Sequence, residues 1–353
     1  MTRVDRSVHV LWLAAGLGAA LCALGLALAP MRLGIAWLSA IVFWIGLPFG
    51  ALALCLAHDL TGGAWGESLH APLRAAIATM PVPSLAVLPL LLTLSDLYPW
   101  ARHEGDTGHF YLTPSFFVVR SLFYLILWNG LAVLRLRQPD VCTMPRLSTI
   151  GLIILVLTGS FAAIDWAMSL EAPWSSSVYG LLAVAEWVLT GLAATIVIAL
   201  WPGFNSTHGK SGVADGSLGK LLLAVMLVVA YLAFMQFLIV WEENLTHEIP
   251  WYLRRLHTGW AIVAIIIVVL EFILPVLLLL SRSAKRRPGL LAAIAGLILV
   301  GRLIEAWWLV LPARPGTVVN WLDGVAMLAL GGATLAVLSS QRKAIAATRP
   351  SHG

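Results

Sequence analysis

Ten apolar runs, each about 17 to 24 residues long, constrain this chain more than any motif does. They fall at roughly 8 to 28, 36 to 58, 80 to 98, 116 to 134, 147 to 167, 178 to 200, 218 to 241, 258 to 280, 289 to 311 and 321 to 338. At ~1.5 Å of rise per residue, a helix of that length crosses a hydrocarbon core about 30 Å thick. Backbone polar groups find no water in that core, so the runs must satisfy their own hydrogen bonds as helices. Composition agrees: 60% of the residues are hydrophobic, 11% are charged, and the mean hydropathy is +0.91, outside the soluble range. The expected fold is an all-α integral membrane protein of about ten transmembrane helices. The first run follows Arg3 and Arg6 and ends at Ala27-Leu28-Ala29 like a cleavable signal. Its length of about 21 residues and the following Pro30 favour a retained helix.

The net charge of +5 would suggest a nucleic-acid partner in a soluble chain, but here the cations alternate between loops. With a cytoplasmic N-terminus, inner segments hold 15 of the 22 Lys and Arg residues, and the outer loops hold five: Arg32, Arg102, Arg254, Arg255 and Arg314. That bias places both termini in the cytoplasm and assigns the charge to orientation, with the lipid bilayer as partner and no nucleic acid. The longest connections, about 17 residues at 99 to 115, 201 to 217 and 242 to 257, leave no room for a soluble domain. Helices 2 to 5 and 6 to 9 share one loop plan: a longer outer loop after the second helix, a strongly basic inner loop after the third. The pattern predicts two four-helix bundles, 36–167 and 178–311, related as a parallel repeat and flanked by helices 1 and 10.

A charged side chain is costly inside a bilayer, so each one there needs a partner or a function. The ionisable residues within or at the edges of the runs are Asp96, Arg120, Asp165, Glu186, Glu242, Glu271, Arg302, Glu305 and Asp323. Nearly all fall in the outer half of the bilayer, Glu186 about 12 Å in and Glu271 deepest at about 20 Å. Arg302 and Glu305 are three apart and share a helix face. One reading is a chain of protonatable groups forming a half-channel open to the outer side. The other is buried pairing: Arg302 neutralises Glu305 or Glu271, and Arg120 neutralises Asp165. Carboxylates outnumber arginines, and that excess keeps the proton reading open.

Other residue types say less. Cys22, Cys55 and Cys142 lie far apart, without the pairs that would anchor covalent haem or an iron-sulphur cluster. His9, His58, His103, His109 and His257 lie near helix ends or in loops, which argues against a bis-histidine haem. His58-Asp59 reads as an interfacial cap in preference to an inner proton entry. Trp100, Trp166, Trp174, Trp201, Trp241, Trp251 and Trp260 lie near helix ends and read first as an interfacial aromatic belt, with a stacked quinone ring as the alternative. Pro275 removes a backbone bond to the carbonyl of residue 271 and should kink the helix at Glu271. Asn205-Ser206-Thr207 and Asn244-Leu245-Thr246 match a glycosylation pattern to which we assign no meaning.

Several segments resemble the ActF subunit family of bacterial alternative complex III, a quinol:cytochrome c oxidoreductase. They are SFAAIDWAMSLEAPW at 160 to 174 with Tyr179-Gly180, HFYLTPSFFVVRSLFY at 109 to 124, LGKL at 218 to 221, FMQFLIVWEEN at 234 to 244, WYLRR at 251 to 255, FILPVLLLLSR at 272 to 282 and WWLVLP at 307 to 312. The DW-MSL stretch is the specific one; the leucine-rich stretches are weak. The resemblance implies ten helices in two four-helix bundles, similar to NrfD and ActC subunits. It also implies membership of an electron-transport assembly in the bacterial inner membrane, with haem c and iron-sulphur clusters on partner subunits and none on this chain. A proton path through Asp165, Arg120 and the charges of helices 8 and 9 would follow, with quinol as a candidate ligand. The chain departs from the family in three places. Thr246-His247-Glu248 follows Trp241-Glu242-Glu243-Asn244 where a Pro-Glu-Glu turn is usual, so Glu242 and Glu248 become outer-loop candidates. Glu271 stands where the family tends to have His, and Glu305 where it tends to have Asp.

The expected function is a membrane subunit of a quinol-oxidising respiratory complex, not catalytic alone, that anchors redox partners and translocates protons through buried carboxylates. The alternatives are a stand-alone secondary transporter and a purely structural subunit with all charges paired.

Overall fold

The computed structural model describes residues 3–102, 110–138, 145–171, 173–200, 216–246, 248–314 and 316–347. His103, His109, Cys142, Trp201, His247 and the 205–207 segment lie outside the described residues. The protein is all-α, with no strand among those residues, and ten helical spans are long and apolar enough to cross a membrane. They are Val8–Leu28, Pro30–Thr61, Ala64–Leu92, Pro114–Arg137, Pro145–Glu171, Tyr179–Leu200, Ser217–Glu243, Trp260–Leu280, Pro288–Ala313 and Trp321–Gln341. Outward-facing positions remain apolar, as at Leu17, Leu92, Ile126, Ile153 and Leu277, which is the surface a lipid solvent accepts.

The spans pack as two groups of four. The second span contacts the third and fifth, and the fourth contacts the third and fifth; the sixth contacts the seventh and ninth, and the eighth contacts the seventh and ninth. The first and tenth spans pair with each other, and the tenth leans on the outset of the second. The second and sixth form the central seam, and glycine makes it possible. A Cβ on Gly50 would sit 2.1 Å from the Trp187 carbonyl oxygen, and one on Gly191 would sit 2.6 Å from the Ala51 nitrogen. Without side chains at these two points the backbones touch, as close-packed membrane helices require.

The third span departs from the hydropathy reading. It begins at Ala64 instead of near residue 80, and its helix ends at Leu92 instead of 98. The turn before it is only Gly62-Gly63, whose φ values of 64° and 105° suit glycine alone. Polar residues in 64–77 imitate a loop, yet they have structural work within the helix. Arg74 donates to the carbonyls of Leu136 at 2.7 Å and Gln138 at 3.1 Å, satisfying the C-terminal end of the fourth span. Pro81 interrupts the third span, and the Thr79 and Ser84 hydroxyls donate to the nearby carbonyls of Ala76 and Met80 at 2.7 and 2.8 Å. The second span breaks in the same way at Ile45, three residues before Pro48.

The tryptophans also depart from expectation. Trp100, Trp166, Trp174 and Trp251 are buried, Trp260 is half-buried, and Trp241, at 70% exposed, faces outward as a belt residue would. Nearness to a helix end fixes a residue's depth but not its direction around the helix. The buried indoles face inward, and two of them find acceptors there: Trp100 Nε1 donates to the Ser169 carbonyl and Trp166 Nε1 to Ser121 Oγ, both at 3.1 Å.

Candidate functional site

Ionisable side chains gather in separate clusters, one of them in each bundle. In the first bundle, Arg120 of the fourth span meets Asp165 near the end of the fifth through two bonds, Nε to Oδ2 at 3.0 Å and Nη2 to Oδ1 at 2.9 Å. Tyr124 lies one helical turn beyond Arg120 on the same face and donates its hydroxyl to Oδ2 at 3.0 Å. Arg120 Nη1 donates to the Tyr111 carbonyl at 2.8 Å, and its guanidinium stacks 3.9 Å from the Tyr111 ring and 4.3 Å from that of Phe116. Nearby, Tyr98 donates to the Trp166 carbonyl at 2.8 Å; burial, with the Asp165 charge, pushes its phenol well above the usual range. One acid meets one base, and both are fully bonded.

The second cluster has a different stoichiometry. Arg302 of the ninth span donates to Glu186 of the sixth at 3.0 Å and to Glu271 of the eighth at 3.3 Å, and it also contacts Glu305 on its own helix. Glu186, Glu271 and Arg302 are buried, and Glu305 is half-buried. If all were ionised, one positive charge would face three negative ones, so neutrality requires two protons shared among three carboxyl groups. Glu271 is held by a π-helical turn, Val269–Ile273, just before Pro275. The kink expected at this point takes the form of that wider turn, a form frequent at functional sites. Gly301 leaves space for the side chain: a Cβ there would lie 2.4 Å from Glu271 Cγ. Glu271 Oε1 is buried with no hydrogen-bond partner among the described residues. In depth, Glu186 lies about 10 Å along its helix from Tyr179.

A third cluster escaped the sequence reading, which treated Arg254 and Arg255 as loop charges. Both pair with Glu171, at 2.6 and 2.9 Å, and Arg255 also donates to the carbonyls of Trp251, Trp308 and Leu309. Arg255 is fully enclosed, with its guanidinium 3.7 Å over the Trp251 ring, which in turn stacks on Trp174 at 4.3 Å. Burial lowers its pKa to about 10, opposed by Glu171, so it stays charged at neutral pH. The signal was available in the spacing: Trp251 and Arg255 are four apart, on one face of the short helix Ile249–Leu256.

The remaining candidates are structural or peripheral. Asp323 pairs with Arg32 and accepts the Asn320 N–H at 2.8 Å, joining the tenth span to the second. Asp59 pairs with Arg135 at 3.0 Å and accepts from Ser148 at 3.0 Å, while His58 meets the Gly63 carbonyl at 3.1 Å, which suits the cap reading of His58-Asp59. Asp96 contributes its carbonyl, to Arg314 at 2.5 Å. Glu242 is exposed at the end of the seventh span; Glu248 is buried, 3.4 Å from Ser175 Oγ. Neither is brought to the Arg302 cluster. Among the described residues no group of three or more His, Cys, Asp or Glu is placed to hold a metal ion. No protein-family model matches the sequence and no curated protein matches it, so the reading of these clusters rests on their own geometry.

Proposed function

We propose that this chain is an integral membrane subunit of a quinol-oxidising respiratory complex of the alternative complex III type, akin to the ActF family. It anchors redox partners in the bacterial inner membrane, with both termini cytoplasmic, and passes protons through the carboxylates of the second bundle. Haem c and iron-sulphur clusters would belong to the partner subunits. The observation that carries the proton role is three carboxylates around the single Arg302. A site with more acids than bases can pass a proton from one carboxyl group to another while a carboxylate still compensates the arginine, whereas a one-to-one pair has only one carboxylate, held against its base.

The direct test is Glu271→Gln in the assembled complex. The expected outcome is a lower proton-to-electron ratio with subunit composition unchanged; an unchanged ratio removes Glu271 from the path. Assembly itself is tested by mild extraction from native membranes and a native gel, where this chain should co-migrate with haem- and cluster-bearing subunits. Migration alone and colourless would favour the transporter. The interrupted helices give that reading little support, since they are the second and third spans of the chain and the eighth, which do not correspond between the two bundles.

A further inference from the structure

The second bundle has a lateral cavity of about 630 Å³ between its seventh and eighth spans. Its rim is apolar and faces outward: Tyr231 is 60% exposed and Phe234 58%, with Leu227 and Val268 beside them. Inside, the lining includes Glu271, Glu305, Gln236, Tyr252, Trp251 and Trp308. The cavity therefore joins the surface a membrane would cover to the Arg302 cluster. Its volume is that of a site for a small organic ligand, in a range of about 300 to 1,000 Å³.

Two polar atoms of lining residues specify the chemistry of an occupant. Glu271 Oε1, an acceptor, and Trp308 Nε1–H, a donor, are both buried without partners among the described residues. A hydrocarbon tail satisfies neither, and an anionic head group would face the carboxylates. A hydroxyl both donates and accepts, so it answers both atoms. The aromatic side chains select for a flat head: Phe237 meets Tyr252 edge-on at 5.6 Å, and Trp251 meets Trp308 edge-on at 5.5 Å.

We infer that this cavity binds an uncharged amphiphile with a hydroxyl-bearing ring head and a hydrocarbon tail, the chemistry of an alkylated hydroquinone, which enters from the lipid between the seventh and eighth spans. The head hydroxyls donate to Glu271 and accept from Trp308, and the tail runs out past Phe234. This deepens the proposed function, since Glu271 belongs to both, and rests on it for the natural source of the ligand.

The test is equilibrium binding to the full-length chain in phosphatidylcholine nanodiscs, with empty nanodiscs as background. The probes are a decyl-substituted 1,4-benzohydroquinone kept reduced, its dimethyl ether and decylbenzene. The hydroquinone should bind one saturable site, and the ether and decylbenzene at least about tenfold more weakly. Ala264→Phe, which fills the wall away from Glu271, should weaken hydroquinone binding at least about tenfold with the thermal midpoint retained. If that variant fails to fold, Ala233→Phe on the facing span replaces it. Glu271→Gln should weaken the hydroquinone and leave the ether unchanged. Equal binding of all three probes, or no effect of the filled wall, overturns the inference and leaves a groove for lipid tails. Those outcomes with a lowered proton ratio in Glu271→Gln would sink the ligand site alone; intact binding with an unchanged ratio would sink the proton role alone.

Discussion

The Arg120–Asp165 site and the Arg302 site are both buried, one in each four-helix bundle, yet they differ in what they leave over. Around Asp165 every strong group has a partner: two bonds from Arg120, one from Tyr124, and the remaining guanidinium donor on a carbonyl. Around Arg302 three acids share one base, one carboxylate oxygen has no donor, the helix widens into a π turn, and a cavity reaches the cluster from outside. Stoichiometry, and not the mere presence of buried charge, separates a structural pair from a site able to exchange a proton or ligand. A carboxylate inside an apolar run is therefore an incomplete signal until its bases are counted.

The largest effect that could break this contrast is at Asp165. Asp165→Leu strands the buried Arg120 and should cost about 3 to 5 kcal/mol, read by denaturation of the detergent-solubilised protein. The double variant Asp165→Leu/Arg120→Met should recover most of that loss. A double variant as unstable as the single one would mean the pair is not what Asp165 serves. Next comes Gly301→Ala, whose new methyl group pushes on Glu271 and should cost about 1 to 3 kcal/mol. Its control is Gly296→Ala on the same helix, where nothing lies within 4 Å, which should be neutral or stabilising. The smallest effect is expected from Glu271→Gln: less than about 1 kcal/mol, because Glu186 and Glu305 still compensate Arg302. A penalty there as large as at Asp165 would place both clusters in one structural class.

How much could be read beforehand depended on the kind of question. The Arg120–Asp165 pair was legible because each bundle offered few buried arginines and the membrane makes an unpaired one costly. Arg302 was legible as a partner for Glu271 or Glu305, but its third acid, Glu186, is 116 residues away, and nothing local points to it. The start of the third span was misread because Glu67, His70 and Arg74 lower the local hydropathy, although Arg74 serves to cap the fourth span. The buried tryptophans were misread because depth and direction are separate properties of a helical residue.

The sequence by itself determined that this chain crosses a membrane about ten times as helices, since continuous apolar runs of this length satisfy their own backbone in hydrocarbon as helices, and it marked the charged residues that would need partners there. Only the tertiary structure decided which partners they meet. Helix rotation and depth are set by close contacts such as Gly50 against Trp187 and Gly191 against Ala51, made between residues far apart in the chain. Those contacts place three acids on Arg302 and one on Arg120, because side-chain packing fixes how each helix faces its neighbours and local sequence does not.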